Sequence, residues 1–353
     1  MLGNANLTTQ VLFNRLQSDL GRLQGRFADR VGEVATGKRA DLADRLGDSA
    51  AALFGLQAST SQARGHIDRI GLVETRLSVM QSSLQSVRGV ADGLEYRKIL
   101  DGAANTAGFG ALQKQAATEG IARVISTLNA AVDGRYLFSG LAVDVAPMQQ
   151  DNGMLAEVET VVASHVAAAG GRIDTPAQVD ALLAEVGSMF DDSHPNPALR
   201  FTGQIYQGAP DATADLAFDD GTGRAITYGA KASEGGVRAL LEGLHLLAAA
   251  QKDEGQFSDA AYQRLAEVTV GKLDSGTNAI TGIEARLGLV QRDTATFREE
   301  QQASIAVLER RISALQDADP TEAATKLASL ETQLQASFLA TSRILRLSLA
   351  NTF

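Results

Sequence analysis

Apolar residues recur at helical spacing at both ends of this chain. At the front the stripe runs Leu12, Leu16, Leu20, Leu23, Phe27, Val31 and Val34; at the back it runs Leu327, Leu330, Leu334, Phe338, Thr341 and Leu345. The front steps average about 3.7 residues, close to the helical repeat of about 3.6. A long helix at each terminus is therefore predicted. Such helices draw most of their stability from burying an apolar face, so each arm needs a partner. The partner is either the other arm of the same chain or a neighbouring copy. Leu2, Leu7, Val11 and Phe13 at the front, and Leu339, Ile344, Leu347, Leu349 and Phe353 at the back, lie beyond a single stripe. Apolar surface in excess of what one partner covers points to self-assembly, with the stripes and Leu349 as the candidate subunit-packing residues.

The rest of the composition suits this reading. A chain of 353 residues supports two or three domains, yet aromatics make up only 5%, and Trp and Cys are absent. Without Cys there are no disulfides and no thiolate chemistry, which fits the cytosol and equally fits export in an unfolded state. No stretch approaches the roughly 20 apolar residues of a membrane span. The opening Met1 to Thr9 lacks a basic segment followed by an apolar one, so no cleavable secretory signal is expected.

The net charge of -10 is confined to one region. Residues Leu141 to Glu234 hold 14 acidic and 4 basic side chains, and the two flanks together hold 28 of each. Phosphate recognition needs clustered Lys and Arg, so nucleic acid is not an expected partner. Flanks that together carry no net charge approach one another without net self-repulsion.

Along the chain, Gly37 with Lys38 and Arg39 reads as a helix stop. An irregular stretch over Ala40 to Gly47, a helix from Ser49 to about Leu100, a Gly-rich break over Asp101 to Gly110 and a helix from Ala111 to Val132 follow. In the acidic region, Leu199 to Tyr206, Ala214 to Phe218 and Ala225 to Tyr228 read as strands, with Asp220-Gly221 as a hairpin signal. One helix there, Ala177 to Phe190, starts at Thr175-Pro176. Beyond Gly236 come a short helix, a long one over Asp259 to Gln316, and a final one begun by Asp319-Pro320. The expected fold is mainly α: a long antiparallel coiled-coil or bundle rod formed by both chain ends, with a small α+β domain inserted in the middle. Its parts are a 1–40 assembly helix, a 41–140 rod half, a 141–234 acidic insert, a 235–316 rod half and a 317–353 assembly helix.

Chemistry-bearing patterns are sparse. His66, His165, His194 and His245 stand singly. Asp191-Asp192-Ser193-His194 offers cation ligands, but Pro195 and Pro197 make it read as an exposed loop. Asp219 to Gly223 lacks the alternating carboxylates and distal Glu of a calcium loop. Gly37-Lys38-Arg39 has no Gly five residues ahead of the lysine. There is no Gly-x-Ser-x-Gly and no dinucleotide fingerprint. Neither enzymatic activity nor a cofactor or metal is expected.

Two segments resemble a known family. Asn129 with Gly134-Arg135-Tyr136-Leu137-Phe138-Ser139-Gly140 is similar to a signature of the hook-filament junction proteins, hook-associated members of the bacterial flagellin family. The tail from Asp317-Ala318-Asp319-Pro320 through Phe338 to Leu349 is similar to the C-terminal motif that those proteins share with the filament flagellins. The front fits more loosely: Thr36-Gly37-Lys38-Arg39 matches, whereas Asp44-Arg45-Leu46-Gly47-Asp48 stands where an Asp-Asp-Pro loop is usual. The resemblance covers about 1 to 140 and 235 to 353. It implies a structural subunit whose terminal helices pack with copies of itself and with other hook-associated and flagellin subunits. It also implies export through the flagellar apparatus to an extracellular position, with a cytosolic chaperone on the C-terminal helix. The alternative within the family is a flagellin that builds the filament itself; outside it, the insert carries an enzymatic or carbohydrate-binding activity.

Overall fold

The computed structural model describes residues 3–40, 42–94, 109–219, 225–251 and 255–350, with side chains throughout these except 3–10, 12–13, 42–49, 109, 344–345 and 347–350. The fold is mainly α, with two two-stranded sheets among the described residues. The chain forms two compact units, Met1–Gly65 with Glu300–Phe353, and His66–Glu299. Both divisions fall inside long helices.

In the terminal unit, α1 (Gly3–Thr36) packs on α9 (Pro320–Ala350). The first part of α2 (Leu42–Gly93) runs beside the last part of α8 (Asp259–Gln316), with Arg64 and Glu309 paired at 2.6 Å. On α2, Leu53, Leu56, Thr60 and Ala63 recur at alternating steps of three and four and turn away from solvent, the spacing of a coiled-coil seam. The expected irregular stretch from Ala40 to Gly47 is corrected here: α2 already begins at Leu42. Asp44, Arg45 and Asp48 favour solvated surface but do not forbid a helix that is continuous with a strongly patterned one.

The central unit holds one large core. Ile70, Val73, Leu77, Met80, Leu84 and Val87 continue the three-four alternation on α2, and Leu273, Ile280, Leu287 and Thr294 recur every seven residues on α8. The two helices are antiparallel, since Glu74 pairs with Arg298 and Arg88 reaches Glu284 at 3.2 Å. Between them in sequence come α3 (Phe109–Leu128), the hairpin β1 (Ala131–Val132) and β2 (Arg135–Tyr136), α4 (Met154–Ala168), α5 (Pro176–Phe190), α6 (Phe201–Gln204), the pair β3 (Ala217–Asp219) and β4 (Ala225–Thr227), and α7 (Gly235–Ala249). Helix α7 is buried on nearly every side, and the polar groups it carries inward, Glu242 and His245, are buried with its leucines. Glycines let its neighbours in: a Cβ on Gly276 of α8 would lie 2.6 Å from the Leu240 nitrogen, and one on Gly243 2.8 Å from Leu273.

Several sequence expectations are corrected in this unit. The Ala111 to Val132 helix ends at Leu128, because Asp133 and Gly134 adopt φ of 51° and 72° and turn a two-residue hairpin. Leu199 to Tyr206 is not a strand. It forms a 3₁₀ turn over Pro197–Leu199 and then α6, whose start is capped by the Asp192 carboxylate on the Thr202 N–H at 2.9 Å. Phe201 and Ile205, four apart, are both fully buried, which suits a helical turn rather than period two. Helix α4 was not expected, although Met154, Val158, Val161 and Val162 carry its period; Asn152 caps it by accepting the Met154 N–H at 2.9 Å. Helix α5 starts where Thr175-Pro176 indicated, with a capping box between Thr175 and Gln178. Strands β3 and β4 pair, but β3 covers only Ala217–Asp219 where Ala214 to Phe218 was expected and β4 stops at Thr227, while the Asp220-Gly221 turn and the break over 101–108 lie outside the described residues.

Candidate assembly surface

The inner face of α1 is set by alternating steps. Leu16, Leu20, Leu23, Phe27 and Arg30 are half-buried, and Glu33 is buried at 2% exposure. On α9, Ala323, Leu327, Leu330, Leu334, Ser337 and Thr341 form the matching row, with Leu330 and Ala323 the deepest. Three-four alternation is the pattern of a two-helix seam. The sequence stripe departs from this seam at its inner end: after Phe27 the seam steps by three to Arg30, so Val31 and Val34 turn outward. They are 43% and 47% exposed. Phe338 likewise lies one residue past the seam position Ser337 and is 52% exposed, with Leu339 beside it at 64% and Val11 on α1 at 64%. The side chains of Leu12, Leu345 and Leu349 lie outside the described residues. Among the described residues, the candidate packing side chains therefore divide into a set turned toward the other arm and a set left about half exposed.

Polar residues replace apolar ones on the seam at Arg30 and Glu33 because the arms meet a joint there. Gly37, at φ 67°, ends α1 and donates its N–H to the Glu33 carbonyl at 2.8 Å. The next residues pair with the α8–α9 corner: Arg39 N–H to Gln316 O at 2.9 Å, Ala318 N–H to Gly37 O at 2.9 Å, and the Arg39 side chain to Asp317 O at 3.1 Å. Buried Glu33 is paired with Arg30 and accepts the Ala40 N–H at 3.0 Å. Asp319 caps α9 by accepting the Thr321 and Glu322 N–H groups, and these bonds hold its carboxyl below the usual range.

The second candidate group, Gly134, Arg135, Tyr136, Phe138 and Gly140, lies in the central unit and serves as a knot. Gly134 makes the hairpin turn, and Arg135 and Tyr136 form β2. Leu137 and Phe138 enter the core at 2% and 1% exposure. The main chain ties three segments together: Ala232 N–H to Phe138 O at 2.8 Å, Ala209 N–H to Ser139 O at 2.8 Å, and Leu137 N–H to Ala130 O at 3.0 Å. Asn129 adds both faces of its amide to Met148, at 2.8 and 2.9 Å. Gly140 has φ 63°, a backbone conformation that strains any side chain, and a Cβ there would press on Lys231 and Ala209. The signature residues are thus placed for folding the central unit, which sequence spacing alone did not reveal.

Titratable groups in the central unit are committed to structure. Arg238 donates to Phe190 O and Ser233 O, pairs with Asp192 at 2.5 Å and Asp211 at 2.7 Å, and lies 4.7 Å over the Phe201 ring. The Asp192 carboxylate, offered by the sequence as a cation ligand, is spent on Arg238 and Thr202. Burial pushes the Tyr206 hydroxyl up, and that hydroxyl donates to Ala209 O at 2.8 Å. His165 pairs with Glu185 at 2.8 Å. Among the described residues, no group of three His, Asp or Glu is arranged to hold a metal, and no helix is long and apolar enough to cross a membrane.

Two family models match the chain: the bacterial flagellin N-terminal helical region over residues 7–143 and the C-terminal helical region over residues 270–351. No protein of curated function matches it. Among solved structures, a protein from Vibrio parahaemolyticus described as a flagellar hook-associated protein is 15% identical, with a TM-score of 0.51 over 76% of this chain and 99% of that one. FlgL from Bacillus cereus is also 15% identical, with a TM-score of 0.43 over 73% of this chain and 99% of the other. The first of these likenesses is one of fold. The family models together span well over half of the sequence and take in both arms, the joint between them and the signature knot, and the chain belongs to the bacterial flagellin family, structural subunits of the bacterial flagellum.

Proposed function

We propose that this subunit is an adaptor of the hook-filament junction, joining hook-side proteins to the flagellin filament by helix packing. The observation that carries the reading is the apolar set left uncovered after α1 and α9 have paired: Val11, Val31, Val34, Phe338 and Leu339. Those residues, on arms of small and opposite net charge, +3 over 1–40 and -1 over 317–353, are suited to copies of this chain and to other hook-associated and flagellin subunits. The Gly134 to Gly140 signature and the hook-associated neighbour in structure favour the junction over the filament. On this reading residues 1–40 and 317–353 are the assembly arms, 41–140 and 235–316 build the scaffold, and 141–234 faces solvent. The subunit leaves the cell through the flagellar export apparatus, and a cytosolic chaperone covers the C-terminal helix until then. Its role is mechanical, with no catalytic step.

Electron microscopy of cells carrying an epitope inserted in the acidic region tests the placement. Label confined to the hook-filament boundary is expected; label along the filament would instead make the chain a flagellin. The same distinction is available in solution, where purified protein added to filament seeds is expected to cap growth in short rings, whereas long filaments would overturn the adaptor reading.

A further inference from the structure

Lys231 is 6% exposed and lies just ahead of α7. Its stem passes Gly140 so closely that a Cβ there would sit 3.0 Å from the lysine Cε, with Ala209 Cβ 3.2 Å away on the other side. The ammonium ends inside the loop 210–215 and donates to three main-chain carbonyls: Thr213 O at 2.6 Å, Asp211 O at 3.1 Å and Pro210 O at 3.3 Å. An ammonium has three N–H groups, so these acceptors exhaust it. Thr213 Oγ1 at 3.4 Å and Asp215 Oδ1 at 3.6 Å complete a shell of oxygens around a single positive charge.

Oxygen-bearing residues alternate through this loop, Asp211, Thr213 and Asp215, with alanines between. Alternation of that kind also supplies the first half of calcium-binding loops, where carbonyl and carboxylate oxygens surround the ion. Here the Asp211 carboxylate faces the other way, to Ser233 and Arg238, and the cage is made mostly of main-chain carbonyls. Carbonyl cages of this sort suit cations of the size of ammonium or potassium. An ordinary buried ion pair between Lys231 and Asp215 does not account for the geometry, since the carboxylate is the most distant oxygen of the five.

We propose that the loop 210–215 is a cation-binding loop whose ion is supplied by the chain itself. The Lys231 ammonium takes the place that an alkali or alkaline-earth cation takes in an oxygen-lined loop, and the central unit folds without recruiting a metal. Gly140 of the signature is required because the tether to that cation passes over it.

Calorimetric melting of the full chain and its variants, in salts of matched ionic strength, tests the assignment. The native chain is expected to melt at one temperature in potassium, calcium, ethylammonium and tetramethylammonium chloride. Lys231→Met, which keeps the stem and removes the charge, is expected to melt about 5–10 °C lower in all four. Lys231→Ala opens the cage: it is expected to be least stable in tetramethylammonium, which is too large to enter, and to regain several degrees in potassium, calcium or ethylammonium. Asp215→Asn, which keeps the carbonyl cage, is expected to lose less than Lys231→Met. A Lys231→Met chain that melts with the native one, a Lys231→Ala chain indifferent to the cation, or an Asp215→Asn loss equal to that of Lys231→Met would overturn the proposal. Should Lys231→Ala be unfolded in tetramethylammonium, recovery of its near-ultraviolet dichroism in a small-cation salt supports the cage, and failure to recover overturns it.

Discussion

At His245 a single ring couples the core of the central unit to pH. The side chain is fully buried in α7 against Phe190, with ring centroids 5.2 Å apart; Nδ1 donates to Leu241 O at 2.7 Å and Nε2 is enclosed. Burial lowers its pKa from 6.5 to about 4. Between those values the unfolded chain takes up a proton that the folded chain refuses, so stability falls as pH falls, by about 3 kcal/mol at the lower end. Glu242 works in the opposite sense: burial raises its pKa, against the pull of Lys272, so its contribution improves as pH falls. Comparing the native chain with His245→Leu separates the two. The variant's melting temperature is expected to decline much less between pH 7 and pH 4, and equal slopes would refute the assignment. A second prediction at this scale concerns Gly276, where a side chain would collide with the Leu240 backbone. Gly276→Val is expected to destabilise the unit by about 3 kcal/mol or more, read from chemical denaturation.

Among the elements, α1 and α9 present two apolar faces with different duties. Leu334 belongs to the seam and Phe338 to the uncovered set. Leu334→Asp is expected to loosen the arm pair itself and so to lower helicity as well as assembly. Phe338→Asp is expected to leave circular dichroism and melting within about 0.5 kcal/mol of native while abolishing assembly with filament seeds. Should Phe338→Asp assemble normally, the uncovered face is not the contact. The sequence stripe ran through both faces because a repeat of about 3.7 slowly crosses from one to the other; only the partner helix shows where the seam leaves it. Long elements were legible for the same reason that their faces were: α8 emerged with its expected ends, and Asp319-Pro320 began α9 where N-cap chemistry places it. What escaped was settled by tertiary context. Phe201 to Tyr206 has β-like composition but is wound into a turn by caps from Asn196 and Asp192, and the clearance of Gly243 and Gly276 against α7 and α8 has no sequence signal short of the packed pair. Helix α4 is a different case, since its apolar period, Met154, Val158, Val161 and Val162, is present in the sequence itself.

For the whole molecule, the acidic region and the neutral flanks are separable by charge but not by packing. Phe190, Phe201, Val158 and Leu182 from the acidic region share one core with Leu84 of α2, Ile125 of α3, Leu244 of α7 and Leu273 of α8. Replacing 141–234 by a short linker would leave α7 without cover from α4 and α5. The expected result is loss of the cooperative calorimetric transition of the central unit, not merely loss of a surface module; a truncated chain that still melts cooperatively would show that the scaffold stands alone.

The joint at the base of the arms interrupts the helical path at one level in both halves of the chain, Gly37 to Ala40 on one side and Asp317 to Asp319 on the other, and closes the two gaps on each other by hydrogen bonds. Helical phase is thereby reset in both directions of the chain at the same point. An inserted or deleted residue in α2 or α8 would rotate its own helix by about 100° but need not turn the faces of α1 and α9. The arms are in this sense a cassette, bounded by Thr36 and Pro320, whose outward face could be held constant while the body between them lengthens, shortens or changes its surface, or be exchanged between related chains without retuning what it is attached to.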